Sequence, residues 1–341
     1  MKANARNYTL IAAFTTLLAL IVVMLGAYTR LADAGLGCPD WPGCYGHLTV
    51  PQTPTAVTQA EQTYQQTVEP AKAWKEMIHR YFAGTLGILI VILAVWAIAR
   101  KRHNSSQPII TPILLVLLVI FQALLGMWTV TWLVLPLVVT AHLLGGMTLV
   151  ALLWYLTLAS RTPQPMVARQ TAKFKFWANL GLIIVAIQIF LGAWTSTNYA
   201  AIVCPTFPFC QGNLFPHMEL TKAFDLFHPI GVNYEGGVLD ITARVTIQMM
   251  HRYGAFITAA YIGILALTLI FSKQAQGLHR IGGFLFLILI IQFALGVANV
   301  VWLLPMHIAV AHNGVAAILL LTMVTLVYKL YRKHYQKLRI L

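Results

Sequence analysis

A chain of 341 residues with 59% hydrophobic and only 9% charged residues, and a mean hydropathy of +0.75, lies far outside the soluble range, in which about 25% of residues are charged. That composition excludes a water-soluble globular domain and places most of the chain in a bilayer. The net charge of +14 would suit a nucleic-acid partner only if it were clustered; it is dispersed in short basic segments between apolar runs, which excludes that class.

Apolar runs long enough to cross about 30 Å of hydrocarbon fall at 8–29, 77–99, 109–132, 136–159, 174–197, 244–271, 281–303 and 306–330. They predict an all-α integral membrane protein with eight transmembrane helices. The first run is long and no small-residue cleavage site precedes the polar loop after Thr29, so it reads as a retained helix rather than a signal peptide. No Arg- and Ser-rich transit peptide stands before it, which points to a bacterial inner membrane. Polar sequence interrupts only between runs: a long loop from Arg30 to Trp74, a second from Asn198 to Asp240, and the linker "SRTPQPMVARQ". Lys2 and Arg6, residues 100–102, Arg161 to Lys175, Lys273 with Arg280, and Lys329 to Arg339 all fall on one side of this topology. All nine acidic residues fall on the other. The positive-inside rule then puts both termini in the cytoplasm.

The two long loops carry all four cysteines, in "GCPDWPGCYG" from Gly37 and "VCPTFPFCQG" from Val203. On the external, oxidising side disulfides persist, so Cys38 is expected to pair with Cys44 and Cys204 with Cys210. A metal site is the alternative, but no His sits at finger-like spacing and thiolates are scarce outside the cytoplasm. A redox-exchange role for such short, proline-bearing loops is a further alternative.

The paired loops belong to a repeat that runs the length of the chain. "LGAYT" at Leu25 answers "LGAWT" at Leu191, "HRYFAGTLGILIVILAV" from His79 answers "HRYGAFITAAYIGILAL" from His251, and "FQALLGMWTVTWLVLPLVVTAHLLGGM" from Phe121 answers "QFALGVANVVWLLPMHIAVAHNGVAA" from Gln292. The halves are therefore expected at 1–165 and 166–341, each a four-helix bundle. An even-numbered unit keeps its orientation on duplication, so an axis along the membrane normal should relate them.

The repeat isolates His79, His142, His251 and His312, each a few residues inside the outer end of an even-numbered helix. Any one of them reads equally as an interhelical hydrogen bond; four at equivalent depth, two per bundle, read as ligands. Each has a small residue at i+4, namely Ala83, Gly146, Ala255 and Ala316, which leaves room beside the imidazole for a macrocycle or for close helix packing. Zinc fits poorly, since no three- or four-ligand set is visible, whereas two axial imidazoles suit heme iron. Arg80 and Arg252 follow the first His of each half, placed either for a heme's propionates or as snorkelling interfacial residues. His103, His279 and His334 lie in basic segments and are read as solvated; His47, His217, His228 and His307 carry no assignment. The halves differ where Glu76, three residues before His79, meets Gln248 before His251, and where Arg30 meets Ser196. That asymmetry suggests one reactive and one supporting site.

"RLADAGLGCPDWPGCYG", "EMIHRYFAG", "TAHLLGGM", "CPTFPFCQG", "QMMHRYGAF" and "VAHNGVAA", in this order on eight duplicated helices, resemble the heme A synthase family, specifically its cysteine-bearing bacterial branch. The resemblance implies oxidation of the C8 methyl of heme O to the formyl group of heme A, through an alcohol, for terminal cytochrome oxidases. It implies that His79 and His142 hold the substrate heme, that Glu76 is the essential carboxylate, and that His251 and His312 ligate a resident heme b. Heme O synthase and cytochrome oxidase assembly factors are then expected partners, alongside membrane lipid. Residues 49–74 and "LTKAFDLFHPIGVN" depart from the family pattern. Two readings from other classes compete: a non-enzymatic bis-His cytochrome relaying electrons from quinol, against which the Glu76/Gln248 difference argues, and a quinone-linked thiol oxidase, which leaves the four buried histidines unexplained.

Overall fold

In hydrocarbon a chain has no water to satisfy its amide groups, so an apolar run must pair them within its own helix. The computed structural model, which describes residues 2–101, 109–161 and 174–332, has eight helices long and apolar enough to cross a membrane. In chain order the elements are α1 (Lys2–Leu31), α2 (Pro54–Tyr64), α3 (Pro70–Lys101), α4 (Ile110–Thr131), α5 (Pro136–Ser160), α6 (Phe174–Thr197), α7 (Leu220–Ala223), α8 (Ile241–Phe271), α9 (His279–Val301) and α10 (Met306–Tyr331). All but α2 and α7 are the long ones. Residues 162–173, which include most of the linker and the expected boundary between the halves, lie outside the described residues, as do Arg102, His103 and His334.

The long helices overrun the hydrophobic runs where capping chemistry lets them. α3 opens at Pro70, since proline is tolerated in a first turn whose amides have no helical partner. α8 begins after Asp240, whose carboxylate accepts the Ala243 N–H at 2.8 Å; that hydrogen bond, first of all, holds the Asp240 carboxyl below its ordinary pKa. α2, expected as loop, forms because Thr53 caps it by accepting the Ala56 N–H at 3.3 Å, with Pro54 in the first turn, and it ends on Gln65 in the left-handed region. A polar eleven-residue helix leaves no hydropathy signal.

Helix neighbours define two rings of four. In one, α1 touches α3 and α5, and α4 touches α3 and α5; in the other, α6 touches α8 and α10, and α9 touches α8 and α10. The rings meet where α1 and α5 lie against α10 and where α5 lies against α6. Side-chain hydrogen bonds pin this junction: Thr140 to Thr197 at 3.2 Å, Trp154 Nε1 to Thr325 Oγ1 at 2.8 Å, and Tyr328 OH to the Leu158 carbonyl at 3.0 Å. Each ring has its own apolar core, one around Leu86, Leu115 and Leu153, the other around Ile262, Leu285 and Met323.

The loops stack on one end of the rings. Cys38 is bonded to Cys44 and Cys204 to Cys210, as the sequence led us to expect. The first bridge packs on Tyr45, Val50, Ala60, Val68, Ala73 and Met77, so α2 and the start of α3 form a small core beneath it. The second packs on Val245 and Met249 of α8. A side chain at Gly37 would meet the backbone of Lys72 at 2.7 Å, which is why that loop can lie flat on α3. The α4–α5 and α9–α10 turns each place two consecutive non-glycine residues at positive φ, Leu133 with Val134 and Leu303 with Leu304. Peptide mapping of native membranes under non-reducing conditions is expected to recover the 38–44 and 204–210 bridges; four free thiols would contradict both.

Candidate functional site

Within each ring the structure brings two of the four singled-out histidines together. His79 of α3 and His142 of α5 are electrostatic neighbours in the first ring, and His251 of α8 and His312 of α10 in the second. Each imidazole reaches the bundle interior because the facing helix presents a glycine. An added Cβ at Gly26 of α1 would lie 3.0 Å from His79 Cε1, at Gly126 of α4 3.4 Å from His142 Cε1, at Gly192 of α6 3.0 Å from His251 Cε1, and at Gly296 of α9 3.2 Å from His312 Cε1. These glycines sit inside the repeated "LGAYT"/"LGAWT" and Gln-to-His segments, so the repeat carried the signal, but only contact distances reveal their use.

Glutamines buttress the rings. Gln188 of α6 places its amide nitrogen 3.0 Å from both His251 Nδ1 and the His251 carbonyl. Gln292 lies 3.3 Å from His312 Nε2, twenty residues away in sequence. Gln122 packs against Gly145, and Gln188 against Gly254, so closely that a Cβ at either glycine would displace the glutamine amide. Nothing in the sequence pattern marked Gln188: its register mate in the first half is an apolar residue, so only tertiary contact exposes its role.

The second ring encloses a cavity of about 450 Å³ lined by His251, His312, Ala255, Ala316, Gln188 and Gln292 among others, within the usual range for a ligand pocket. The small residues at i+4 therefore open space beside both imidazoles there. In the first ring Ala83 instead packs on the apolar core and Gly146 faces Val23 at 3.6 Å. The Nδ1 atoms of His79, His142 and His312 are buried without a partner, which is costly in an apolar interior unless a ligand or water engages the ring. Among the described residues no group of three or more His, Cys, Asp or Glu side chains gathers to hold a metal ion alone.

Glu76 and the two arginines join the loops to the helices. The Glu76 side chain is 6% exposed; one oxygen accepts from Arg80 at 2.6 Å and the other from the Cys38 N–H at 2.9 Å. Arg80 also donates to the Asp40 carbonyl at 2.8 Å and to the carbonyls of Pro42 and Gly43. Arg252 donates to the carbonyls of Thr206, Pro208 and Phe209 at 2.8, 3.2 and 3.1 Å, and to that of Cys204 at 2.6 Å. Both guanidiniums thus hold the disulfide loops down. Arg30 reaches into the second ring's territory: it donates to the Ser196 carbonyl at 2.7 Å, pairs with Asp33 at 3.4 Å and lies over the Tyr199 ring at 4.1 Å. Tyr199 donates to Asp33 at 2.8 Å, and burial above all raises its phenol pKa. Of the remaining histidines, His47, His217, His279 and His307 are exposed, and His228 packs on Tyr234.

A fold of two four-helix rings, each bringing two histidines together near a disulfide-closed loop, defines a multi-pass membrane protein. The chain belongs to the cytochrome oxidase assembly protein family COX15-CtaA, whose model matches residues 9–324. It is 46% identical to the heme A synthase of Shewanella oneidensis, over 94% of this chain and 95% of that protein. The heme A synthases of Alkalihalophilus pseudofirmus and Halalkalibacterium halodurans are each 26% identical to it, over 82% and 80% of this chain and 87% and 86% of theirs.

Gly192→Val and Gly26→Val are expected to push the imidazoles of His251 and His79 out of place and to lower stability by about 1–3 kcal/mol, the usual cost of overpacking. Thermal unfolding in detergent measures this. Gly283→Ala, which meets nothing within 4 Å, should leave stability unchanged or raise it.

Proposed function

We propose that this chain is a heme A synthase that oxidises the C8 methyl of heme O, through an alcohol, to the formyl group of heme A. The observation that carries the reading is the pair of part-buried histidines repeated in both rings, in a chain of a family whose similar members are heme A synthases. In this reading 1–165 and 166–341 are the duplicated halves, related by an axis along the membrane normal, with both termini cytoplasmic and the disulfide loops on the outer face of a bacterial inner membrane. Heme O synthase and oxidase assembly factors are the proposed partners.

The residues fit bis-imidazole ligation. His251 and His312 both border the cavity, and three of the four histidines keep a buried ring nitrogen unpartnered. We assign His251 and His312 to a resident heme b and His79 and His142 to the substrate heme. When bound, heme iron supplies the redox chemistry. The protein supplies position: glycines on α1, α4, α6 and α9 set how deep each imidazole sits, and the apolar helix faces exclude water, so that the macrocycle is held in one orientation. Glu76, one turn before His79 and held by Arg80 and the Cys38 amide, is the group assigned to take a proton or to stabilise positive charge at the reacting methyl.

Glu76→Gln tests that role. Gln keeps an oxygen for the Cys38 N–H, Arg80 keeps its loop carbonyls, and Gln248 already occupies the matching place in the second half. The fold and heme b should therefore persist while conversion slows by about 10²- to 10⁴-fold, the range for general acid–base catalysis. The heme A to heme O ratio in cells, at matched protein and heme b levels, reads it; a near-normal ratio removes Glu76 from the chemistry. His251→Ala or His312→Ala should each abolish heme b, because water would replace an imidazole ligand poorly. Unchanged heme b per protein in both variants would contradict the assignment.

A further inference from the structure

The second ring's cavity is bordered by a cation that no group among the described residues neutralises. Arg244 stands in the first turn of α8, seven residues and about 10.5 Å of helix before His251. Arg244, Gln248 and His251 lie on one face of α8, and all three line the cavity. Among the described residues the Arg244 side chain makes no hydrogen bond or ion pair, and its Nε is buried without a partner. The other arginines that border the cavity are engaged: Arg252 with four loop carbonyls, Arg30 with the Ser196 carbonyl and Asp33. Gln248 and Asn299, near the same end of the cavity, each bury an amide oxygen with no partner. Such amides offer N–H donors when their ends exchange.

An unpaired guanidinium beside two unsatisfied amides is an incomplete oxyanion site. A part-buried cation is costly without a counter-charge, and a guanidinium fork matches a carboxylate with two parallel hydrogen bonds. We propose that Arg244, with Gln248 and Asn299, recognises the carboxylate edge of the macrocycle held between His251 and His312, taking a heme propionate. The inference rests on the heme assignment above and gives Arg244 the propionate role that was one of two readings of Arg252, since Arg252 holds the second disulfide loop. A lipid phosphate has the same oxyanion chemistry; the propionate is favoured because Arg244 and the histidine pair border one continuous cavity.

The first ring offers a contrast at the same register. Lys72, seven residues before His79, is paired with Glu69 at 3.1 Å. At this register the second ring thus has an unpaired cation on the cavity that its histidines border, whereas the first has an ion-paired lysine among loop residues, a difference that suits a retained heme in the second ring.

The test follows release of heme b from purified, detergent-solubilised protein to excess heme scavenger, a readout independent of heme O conversion. Arg244→Gln should release heme b about tenfold faster or more, the loss expected for a hydrogen bond to a charged group. Arg244→Lys should fall between, and the low-spin bis-imidazole spectrum of the remaining heme should not change. In the unaltered protein, exchange-loaded iron protoporphyrin IX should be retained about tenfold longer than its dimethyl ester, and Arg244→Gln should erase that difference. Equal retention of acid and ester by the unaltered protein overturns the proposal, even if Arg244→Gln folds poorly; so does release unchanged by Arg244→Gln. Loss of bound phospholipid on Arg244→Gln, with acid and ester equally retained, would assign the anion to lipid and overturn it as well. Unaltered protein that carries no heme b would instead bring down the histidine-pair assignment, and this proposal with it.

Discussion

Close approach of a glycine on one helix to an imidazole on the next is the contact on which both rings depend. Four times the backbone of one helix comes near enough to a histidine Cε1 that a Cβ would stand 3.0–3.4 Å away. A bundle spaced by larger residues at those points would hold its helices farther apart and leave the imidazoles displaced from the interior. The same principle governs the glutamines: Gly145 and Gly254 yield their volume to Gln122 and Gln188, and Gln188 then meets His251. Small residues in a membrane bundle are commonly the means by which helices touch; here they also determine where polar side chains can be housed.

At the loop end the organising groups are Arg80 and Arg252. An arginine at the end of an apolar helix needs hydrogen-bond acceptors, and a loop closed into a short ring by a disulfide turns several carbonyls toward one point. Arg80 collects Asp40, Pro42 and Gly43; Arg252 collects Cys204, Thr206, Pro208 and Phe209. The bridge and the arginine therefore work together, and the loop becomes a lid fixed to the helix that carries the histidine. Glu76 adds a second tie in the first ring only, through the Cys38 amide. The chemical difference between the rings is thus tied to a mechanical one: the first loop is linked to its histidine helix through a carboxylate as well as an arginine, and the second through arginine, apolar packing and hydrogen bonds from neutral groups, Tyr253 OH to the Leu214 carbonyl and the Glu219 N–H to Thr246.

The eight long helices, the cysteine pairing and the four histidines that the rings bring together in pairs were legible in the sequence, because each rests on a pattern with one strong physical meaning. Twenty consecutive apolar residues are long enough to span a bilayer, a Cys pair six residues apart has an obvious partner, and a histidine repeated at membrane depth is too costly to be incidental. α2 was not legible, being polar and held by a Thr cap and by packing beneath a disulfide. Nor was the engagement of Arg80 and Arg252, since a sequence gives a guanidinium's position along a helix but not which acceptors surround it.

What the sequence alone determined is therefore one-dimensional: how many helices there are, which residues recur between halves, and where Glu76 differs from Gln248. Tertiary structure decided which groups are satisfied and which are not. Arg252 and Arg244 lie eight residues apart on one helix, yet among the described residues one guanidinium finds four carbonyls and the other none. The reason is that hydrogen-bond satisfaction depends on groups brought from distant parts of the chain: the loop that occupies Arg252 begins more than forty residues before it. Helix periodicity carries no record of that approach.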